Sequence, residues 1–196
     1  MSYLSVKQFM EISEMVSIYP ISSFSKDELH NYRFDCEKAK EYESFLKEKA
    51  LALDEKCISK TFLVIYKETE ELVGYFSLSA DTVKLTLEEK NNAELSEVSF
   101  MSLPAIKVGK LAVNKRLSKK AQHKGYGSFI LDIADTFAYE MLEKGVACRF
   151  VTVDADIEYY PDTPQFYEKN GFVVNQTRKR KGTDKTVSMR RDIFHE

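Results

Sequence analysis

The chain lacks long apolar runs, internal repeats and a cysteine framework. None of its segments approaches the ~20 consecutive apolar residues of a membrane-spanning helix, so no membrane partner is expected. The opening MSYLSVKQFMEISEMV has no basic start and contains two glutamates, which argues against a secretory signal. The three cysteines, Cys36, Cys57 and Cys148, are widely separated and lack metal-ligand spacing. We therefore expect buried, reduced thiols in a cytoplasmic protein, and no metal.

The composition is that of a globular protein with an uneven charge distribution. The 196 residues can bury a substantial core, and 43% of them are hydrophobic. The net charge of −2 neither favours nor excludes a nucleic-acid partner. However, residues 107–124 contain seven basic and no acidic residues, and Arg178–Lys181 forms a second basic cluster. These cations serve either the phosphates of a small ligand or a nucleic-acid backbone, and charge alone leaves both interpretations open.

Hydrophobic periodicity predicts a mixed sheet with helices. Apolar residues three and four apart indicate helices, and short apolar runs rich in β-branched and aromatic residues indicate strands. The predicted helices cover residues 36–56 and 125–144 and a segment near Pro164. The predicted strands cover residues 61–66, 72–78, 105–113, 148–153, 172–176 and 186–193. The first two strands form a hairpin, and the strand at 105–113, the helix at 125–144 and the strand at 148–153 form a right-handed βαβ unit.

The most informative segment lies between the strand at 105–113 and the helix at 125–144. It reads Gln122-His123-Lys124-Gly125-Tyr126-Gly127. Two glycines one residue apart allow a tight turn with outward N–H groups, and the following helix adds a partial positive charge. Such a turn suits a pyrophosphate, although a turn retained only for packing is the alternative. The third glycine of a dinucleotide fold and the Gly-Lys-Ser/Thr of a P-loop are both missing here.

Three motifs in order resemble the GCN5-related N-acetyltransferase family. The turn matches Gln/Arg-x-x-Gly-x-Gly/Ala, the coenzyme A pyrophosphate loop of that family. The run Val108–Val113 is similar to its fourth strand, and Gln165–Phe172 is similar to its Phe-Tyr-x-x-x-Gly-Phe helix end. Further segments between residues 34 and 80 resemble the subgroup of toxins, from toxin–antitoxin pairs, that acetylate aminoacyl-tRNA. The resemblance covers residues 33–194.

The resemblance implies a fold and a domain organisation. The expected fold is α/β (α+β), with a mixed, mostly antiparallel sheet, a central βαβ unit that binds acetyl-CoA, and helices on both faces. Residues 33–196 form the acetyltransferase domain, and residues 1–32 form an N-terminal extension of unknown role. Three positions depart from the toxin pattern: Lys110 stands where arginine is usual, Asn114 where aspartate is common and Pro164 where a small alanine is usual.

The resemblance also assigns roles to individual residues. Tyr167 is the expected general acid, which protonates the leaving thiolate; the alternative is that Phe166 and Tyr167 only pack the last helix. In this resemblance, backbone groups at the end of the predicted strand 105–113 meet the pantetheine arm, the turn binds the pyrophosphate, and Gln122 closes the turn. The expected cofactor-binding residues are Leu111, Ala112, Val113, Gln122, His123, Lys124, Gly125, Tyr126 and Gly127. No general base is evident, and no metal site is expected.

The predicted activity is acetyl transfer from acetyl-CoA to a primary amine by direct attack on the thioester. The acceptor is either the amino group of aminoacyl-tRNA or, alternatively, a small molecule, a protein N-terminus or a lysine. A non-catalytic acyl-CoA-binding module is a further alternative. The toxin resemblance adds a small antitoxin as a candidate partner and a homodimer as a candidate assembly.

Overall fold

The computed structural model describes residues 4–177 and 182–194, which divide into two compact units. The N-terminal unit consists of Leu4–Ser79 and Gly109–Leu131. The C-terminal unit consists of residues 80–108 and the described residues from 132 onward.

Helices and strands alternate along most of the chain. The helices are α1 Val6–Met15, α2 Lys26–Asn31, α3 Lys40–Ser44, α4 Ala50–Glu55, α5 Leu87–Asn92, α6 Tyr126–Glu143 and α7 Thr163–Lys169. The strands are β1 Val16–Pro20, β2 Lys60–Tyr66, β3 Leu72–Lys84, β4 Ser102–Val113, β5 Phe150–Asp156, β6 Val173–Val174 and β7 Thr186–Asp192. The strand order in the sheet is β1-β2-β3-β4-β5-β7-β6, and the pairing is mostly antiparallel.

The first 32 residues contain regular structure that belongs to the N-terminal unit. Ser5 caps α1 in a reciprocal capping box with Gln8, and the Phe9 ring lies 5.1 Å from the Phe129 ring of α6. Strand β1 pairs antiparallel with β2 along its whole length. The domain boundary at residues 32 and 33 stays a prediction, but the residues before it contribute an edge strand of the sheet.

The central part of the N-terminal unit follows the prediction with one exception. The hairpin of β2 and β3 is confirmed. The helix predicted over residues 36–56 is instead interrupted: α3 begins at Lys40, a five-residue π-helix follows at Phe45–Lys49, and α4 completes the segment. The spacing of apolar residues does not reveal this interruption, because a π-helical turn widens the helix only locally. Within this segment Phe45 stacks on Tyr75, with ring centroids 6.1 Å apart.

The C-terminal unit contains the parallel part of the sheet. Residues 105–108 of β4 pair in parallel with residues 150–153 of β5, which confirms the predicted βαβ unit. Strand β7 pairs antiparallel with both β5 and β6. Two buried arginines of β7 are neutralised: Arg190 contacts Glu89 at 2.7 Å, and Arg191 contacts Asp135 at 2.7 Å. Isolated buried charges are costly, so these pairs hold β7 in register.

The exposure of the cysteines and the length of the helices can be compared with two further predictions. Cys36 and Cys148 are buried, whereas Cys57 is exposed, so the prediction of three buried thiols is wrong for Cys57. Cys57 has a positive φ of 54° and lies two residues after the end of α4. Within residues 4–177 and 182–194, no helix has the length and apolar character that crossing a membrane requires.

Candidate active site

The turn before α6 presents a row of backbone donors. The Gln122 N–H donates to the Ser118 carbonyl at 3.0 Å, and the Phe129 N–H donates to the Gly125 carbonyl at 2.8 Å. Between them, the N–H groups of residues 123–128 have no acceptor among the described residues. Six consecutive free donors at the N-terminus of an 18-residue helix create a region of positive potential. Such an arrangement is able to bind an anion, and the role of this turn in binding a cofactor stays a prediction.

Gly125 is required at this turn for two separate reasons. Its φ is +99°, a backbone conformation that residues other than glycine rarely adopt. A Cβ atom at this position would also lie 2.9 Å from Cδ2 of Leu4, a side chain from the start of the chain. The Leu4 side chain thus packs against the turn at Gly125.

Two side chains stabilise the turn from within. The Gln122 amide donates to the Leu117 carbonyl at 3.0 Å, which fits its predicted role in closing the turn. The buried Tyr126 donates its hydroxyl hydrogen to the Ala121 carbonyl at 2.8 Å, and burial raises the pKa of Tyr126 to about 12. The Tyr126 side chain therefore supports the turn, and only its backbone N–H is available to an anion.

The end of β4 lies against β3 in the same unit. Ala112 is buried, and Leu111 and Val113 are partly buried. A Cβ on Gly74 would approach the Ala112 carbonyl oxygen to 2.6 Å, so β3 needs glycine at this position. Close backbone approach thus fixes the segment that was predicted to meet the pantetheine arm.

Asn114, which follows β4 directly, is a structural clamp that the sequence reasoning missed. Its side chain is buried and forms four hydrogen bonds. The Nδ2 group donates to the carbonyls of Arg33 and Leu72, at 2.7 and 2.9 Å. The Oδ1 atom accepts from the N–H groups of Asp35 and Arg116, at 3.1 and 2.9 Å. Aspartate could not donate these bonds, which explains why asparagine suits this position.

Tyr167 lies in α7 of the C-terminal unit. It is buried, and its ring lies 5.1 Å from the Phe166 ring and 5.4 Å from the Phe172 ring. Among the described residues its hydroxyl has no hydrogen-bond partner. Burial, and secondarily the Asp156 carboxylate, raise the pKa of Tyr167. The hydroxyl is consequently protonated at neutral pH and able to donate a proton.

The basic run between residues 107 and 124 is partly neutralised. Four of its seven cations form ion pairs with carboxylates: Lys107 with Asp154, Lys110 with Glu41, Arg116 with Asp35 and Lys120 with Glu68. The other three form no ion pair with a described residue: Lys115, Lys119 and Lys124. The second cluster, Arg178–Lys181, lies outside the described residues. The positive charge available to a ligand is therefore smaller than the sequence suggests.

The structure brings one part of the predicted site together. The end of β4 and the turn at residues 122–127 both belong to the N-terminal unit, whereas Tyr167 belongs to the C-terminal unit. Of the cofactor-binding residues, His123 and Lys124 are exposed, and the His123 ring lies 5.8 Å from the Tyr126 ring. Lys110, one of the departures from the toxin pattern, places its ammonium 4.3 Å from the centroid of the Tyr42 ring.

Solved structures with a similar fold include KacT and the toxin AtaT. A tyrosine-to-phenylalanine mutant of KacT has a TM-score of 0.64 at 18% identity, over 89% of this chain and 94% of that chain. AtaT complexed with acetyl-methionyl-tRNAfMet has a TM-score of 0.66 at 17% identity, over 89% of this chain and 93% of that chain. AtaTR bound with acetyl-CoA has a TM-score of 0.60 at 17% identity, with the same two coverages of 89% and 93%. No protein-family profile matches the chain.

These similarities extend over 89% of the chain. The TM-scores of 0.60–0.66 establish a common fold, whereas identities of only 17–18% leave the activity to be argued from the residues. The chain therefore has the GCN5-related N-acetyltransferase fold that its sequence predicts, in the form that these toxins share.

Proposed function

We propose that this protein is an acetyl-CoA-dependent N-acetyltransferase. The observation that carries the proposal is the row of six free N–H groups, residues 123–128, at the start of α6. Phosphate oxygens need several convergent donors, and a helix N-terminus supplies both donors and favourable charge. The pyrophosphate of coenzyme A has the size and charge for this turn. Lys119 and Lys124, which form no ion pair with described residues, are the cations free to contact its other phosphates.

The acyl-transfer step needs a proton donor for the leaving group. The acceptor nitrogen attacks the thioester carbonyl carbon, the C–S bond breaks, and the amine loses its proton to water. Tyr167 donates its hydroxyl proton to the departing thiolate and is reprotonated from solvent. Its raised pKa keeps the proton in place until the thiolate forms. The lack of a hydrogen-bond partner among the described residues leaves the hydroxyl free for this role.

We further propose aminoacyl-tRNA as the acceptor and a small antitoxin as a partner. An α-amino group has a pKa of about 7.7–8.0, so roughly a tenth or more of it is neutral at pH 7, and the amine of an aminoacyl ester, whose pKa is lower still, needs little help from a base. That chemistry suits a site without an evident general base. Lys115 and Lys119 are available for a phosphate backbone. The similar AtaT was solved with acetyl-methionyl-tRNAfMet and with the antitoxin AtaR.

A small amine or a peptide terminus is the second candidate acceptor. The ion pairs of Lys107, Lys110, Arg116 and Lys120 favour it, because they leave fewer cations for nucleic acid. The two candidates differ in salt dependence. Transfer to tRNA should weaken steeply as salt rises, whereas transfer to a small amine should change little.

Transfer of labelled acetyl groups from acetyl-CoA to a pool of charged tRNA tests the proposal. Wild type should label the tRNA, mild ester hydrolysis should release the label, and Tyr167→Phe should reduce the rate by about 10²-fold or more. Tyr19→Phe, which alters an exposed tyrosine, is the matched control and should behave as wild type. Labelling of small amines or peptides but not of tRNA would select the second acceptor class. Acetyl-CoA binding without turnover on any amine would contradict the proposal that the protein is an enzyme.

A further inference from the structure

A polar groove of about 320 Å³ lies on one face of the sheet in the C-terminal unit. The residues that line it on β3, β4, β5, β7 and the chain after β6 include Asp81, Lys107, Thr152, Asp154, Asn175 and Ser188. None of them is among the predicted catalytic or cofactor-binding residues, although Lys107 belongs to the basic run at 107–124. The volume is sufficient for a small polar group such as an aminoacyl moiety.

The sheet register fixes the polar side chains of this groove. Lys107 of β4 lies opposite Thr152 of β5, and Ser188 of β7 lies opposite Asp154 of β5. Residues opposite each other, and residues two apart on one strand, point to the same face of a sheet. Four polar side chains therefore converge on one face, and their positions depend on strand pairing rather than on a mobile loop.

The two carboxylates of the groove differ in their partners. Asp154 accepts a hydrogen bond from the Lys107 ammonium at 2.6 Å, so its charge is compensated. Asp81 forms no ion pair with a described residue, and its one hydrogen bond comes from the Thr152 hydroxyl at 2.5 Å. Thr152 is buried and orients the carboxylate. A carboxylate has about four acceptor positions, so Asp81 retains acceptor capacity toward the groove.

Further groups at the groove complement a polar acceptor. The Asn175 amide donates to the Ser188 hydroxyl oxygen at 2.9 Å, and that hydroxyl donates to no described residue. It can therefore donate to a carbonyl oxygen of a ligand. The remaining cation, Lys84, is exposed and forms no ion pair with either carboxylate. Within the described residues, the groove thus combines a carboxylate that has no ion-pair partner with a hydroxyl that has no acceptor.

We propose that this groove binds the acceptor substrate, with Asp81 holding its primary amino group and Ser188 contacting the adjoining carbonyl. The inference rests on the proposed acetyltransferase function and names the part of the acceptor that is recognised, an α-amino group next to an ester or amide. Helix α7, which carries Tyr167, packs against the same strand β5 that supplies Thr152 and Asp154. The amine-binding group and the proposed acid thus belong to one compact unit.

Steady-state kinetics with Asp81→Asn test the proposal. This change removes the charge but keeps the acceptor for Thr152, so the fold should be maintained. With charged tRNA as acceptor, we expect KM for the acceptor to rise at least about tenfold and KM for acetyl-CoA to stay within about twofold, because a charge-assisted hydrogen bond is lost. Glu88→Gln, an equal charge change at an exposed residue outside the groove, is the control and should leave both values unchanged. An unchanged acceptor KM in Asp81→Asn, or an equal rise in both variants, would overturn the proposal.

A binding measurement keeps this test independent of turnover. In ¹⁵N NMR titrations with methioninamide, wild type should show shifts at residues 81 and 152–154, and Asp81→Asn should lose them. N-acetylmethioninamide, which lacks the basic amine, should bind at least about tenfold more weakly than methioninamide to wild type. Absence of shifts in this segment of wild type would refute the amine site, even if acetyl transfer is observed. A wild type that binds methioninamide here but transfers no acetyl group would instead contradict the proposed function.

Discussion

Replacing Asn114 by aspartate should destabilise the N-terminal unit and weaken acetyl-CoA binding. The change is isosteric, but the Nδ2 donor that serves the Arg33 and Leu72 carbonyls becomes an oxygen. Each buried group left without a partner costs about 1–3 kcal/mol, so the two carbonyls together cost about 2–6 kcal/mol. The two bonds accepted by Oδ1 remain. The loss is therefore confined to the donor side of the clamp.

Urea unfolding and thermal melting measure this effect. For a chain of this size, a loss of about 4 kcal/mol lowers Tm by about 8–16 °C. Asn175→Asp is the matched control, because it is the same change at a second buried asparagine. There the lost donor serves only the Ser188 hydroxyl, and the new carboxylate faces Arg190. We expect a cost below about 2 kcal/mol for the control. Equal losses in the two variants, or a loss below about 1 kcal/mol in Asn114→Asp, would refute the reasoning.

Three further predictions follow from the described contacts. Gly125→Ala should cost about 1–3 kcal/mol in urea unfolding and raise KM for acetyl-CoA, because alanine is strained at φ +99° and its Cβ displaces the turn; an unchanged KM would contradict a role of this turn in binding. The NMR titration of His30 should give a pKa above 6.5, because the Lys26 carbonyl and the Glu48 carboxylate stabilise the protonated ring. The resulting stability should be complete below pH 6.5 and lost as pH rises through the raised value, and Glu48→Gln should reduce this dependence. Lys119→Glu should weaken tRNA binding and lower the slope of log affinity against log salt by about one or more, and an unchanged slope would exclude Lys119 from the tRNA contact.

The sequence predicted the parts of the fold that local pattern determines. The helix expected over residues 125–144 is α6, Tyr126–Glu143, and Gly145 ends it with a φ of +79°. Its apolar stripe and its flanking glycines are strong local signals. The βαβ unit follows from them, because a strand, a short turn and a helix constrain the next strand to a parallel position.

The first 32 residues show where local pattern was insufficient. Ser5 with Gln8, and Ser25 with Glu28, form capping boxes whose spacing is readable in the sequence. They mark the starts of α1 and α2. Strand β1, however, is only five residues long and follows α1 without a turn, so its pairing with β2 depends on the tertiary structure. No sequence pattern indicated that Leu4 would pack beneath Gly125.

The candidate site likewise contains parts that local sequence pattern predicted and parts that it did not. The pyrophosphate turn was predicted because glycines and the helix start lie within six residues. The Asn114 clamp and the Asp81 groove were not, because three of the four partners of Asn114, and the Thr152 partner of Asp81, are 42 to 81 residues away along the chain. The basic run was overestimated for the same reason, since the carboxylates that neutralise Lys110 and Lys120 lie 69 and 52 positions from them. Long-range charge pairing is invisible to a local count of lysines.

Backbone NMR during titration with acetyl-CoA tests whether the turn at residues 122–127 binds the coenzyme. Binding of acetyl-CoA should cause large shifts of the amide signals of residues 123–128, because their N–H groups would donate to the pyrophosphate. S-acetylpantetheine, which carries the thioester but no pyrophosphate, should leave these six signals unchanged. Equal shifts with both ligands, or acetyl-CoA binding that leaves residues 123–128 undisturbed, would contradict the assignment of this turn as the coenzyme site.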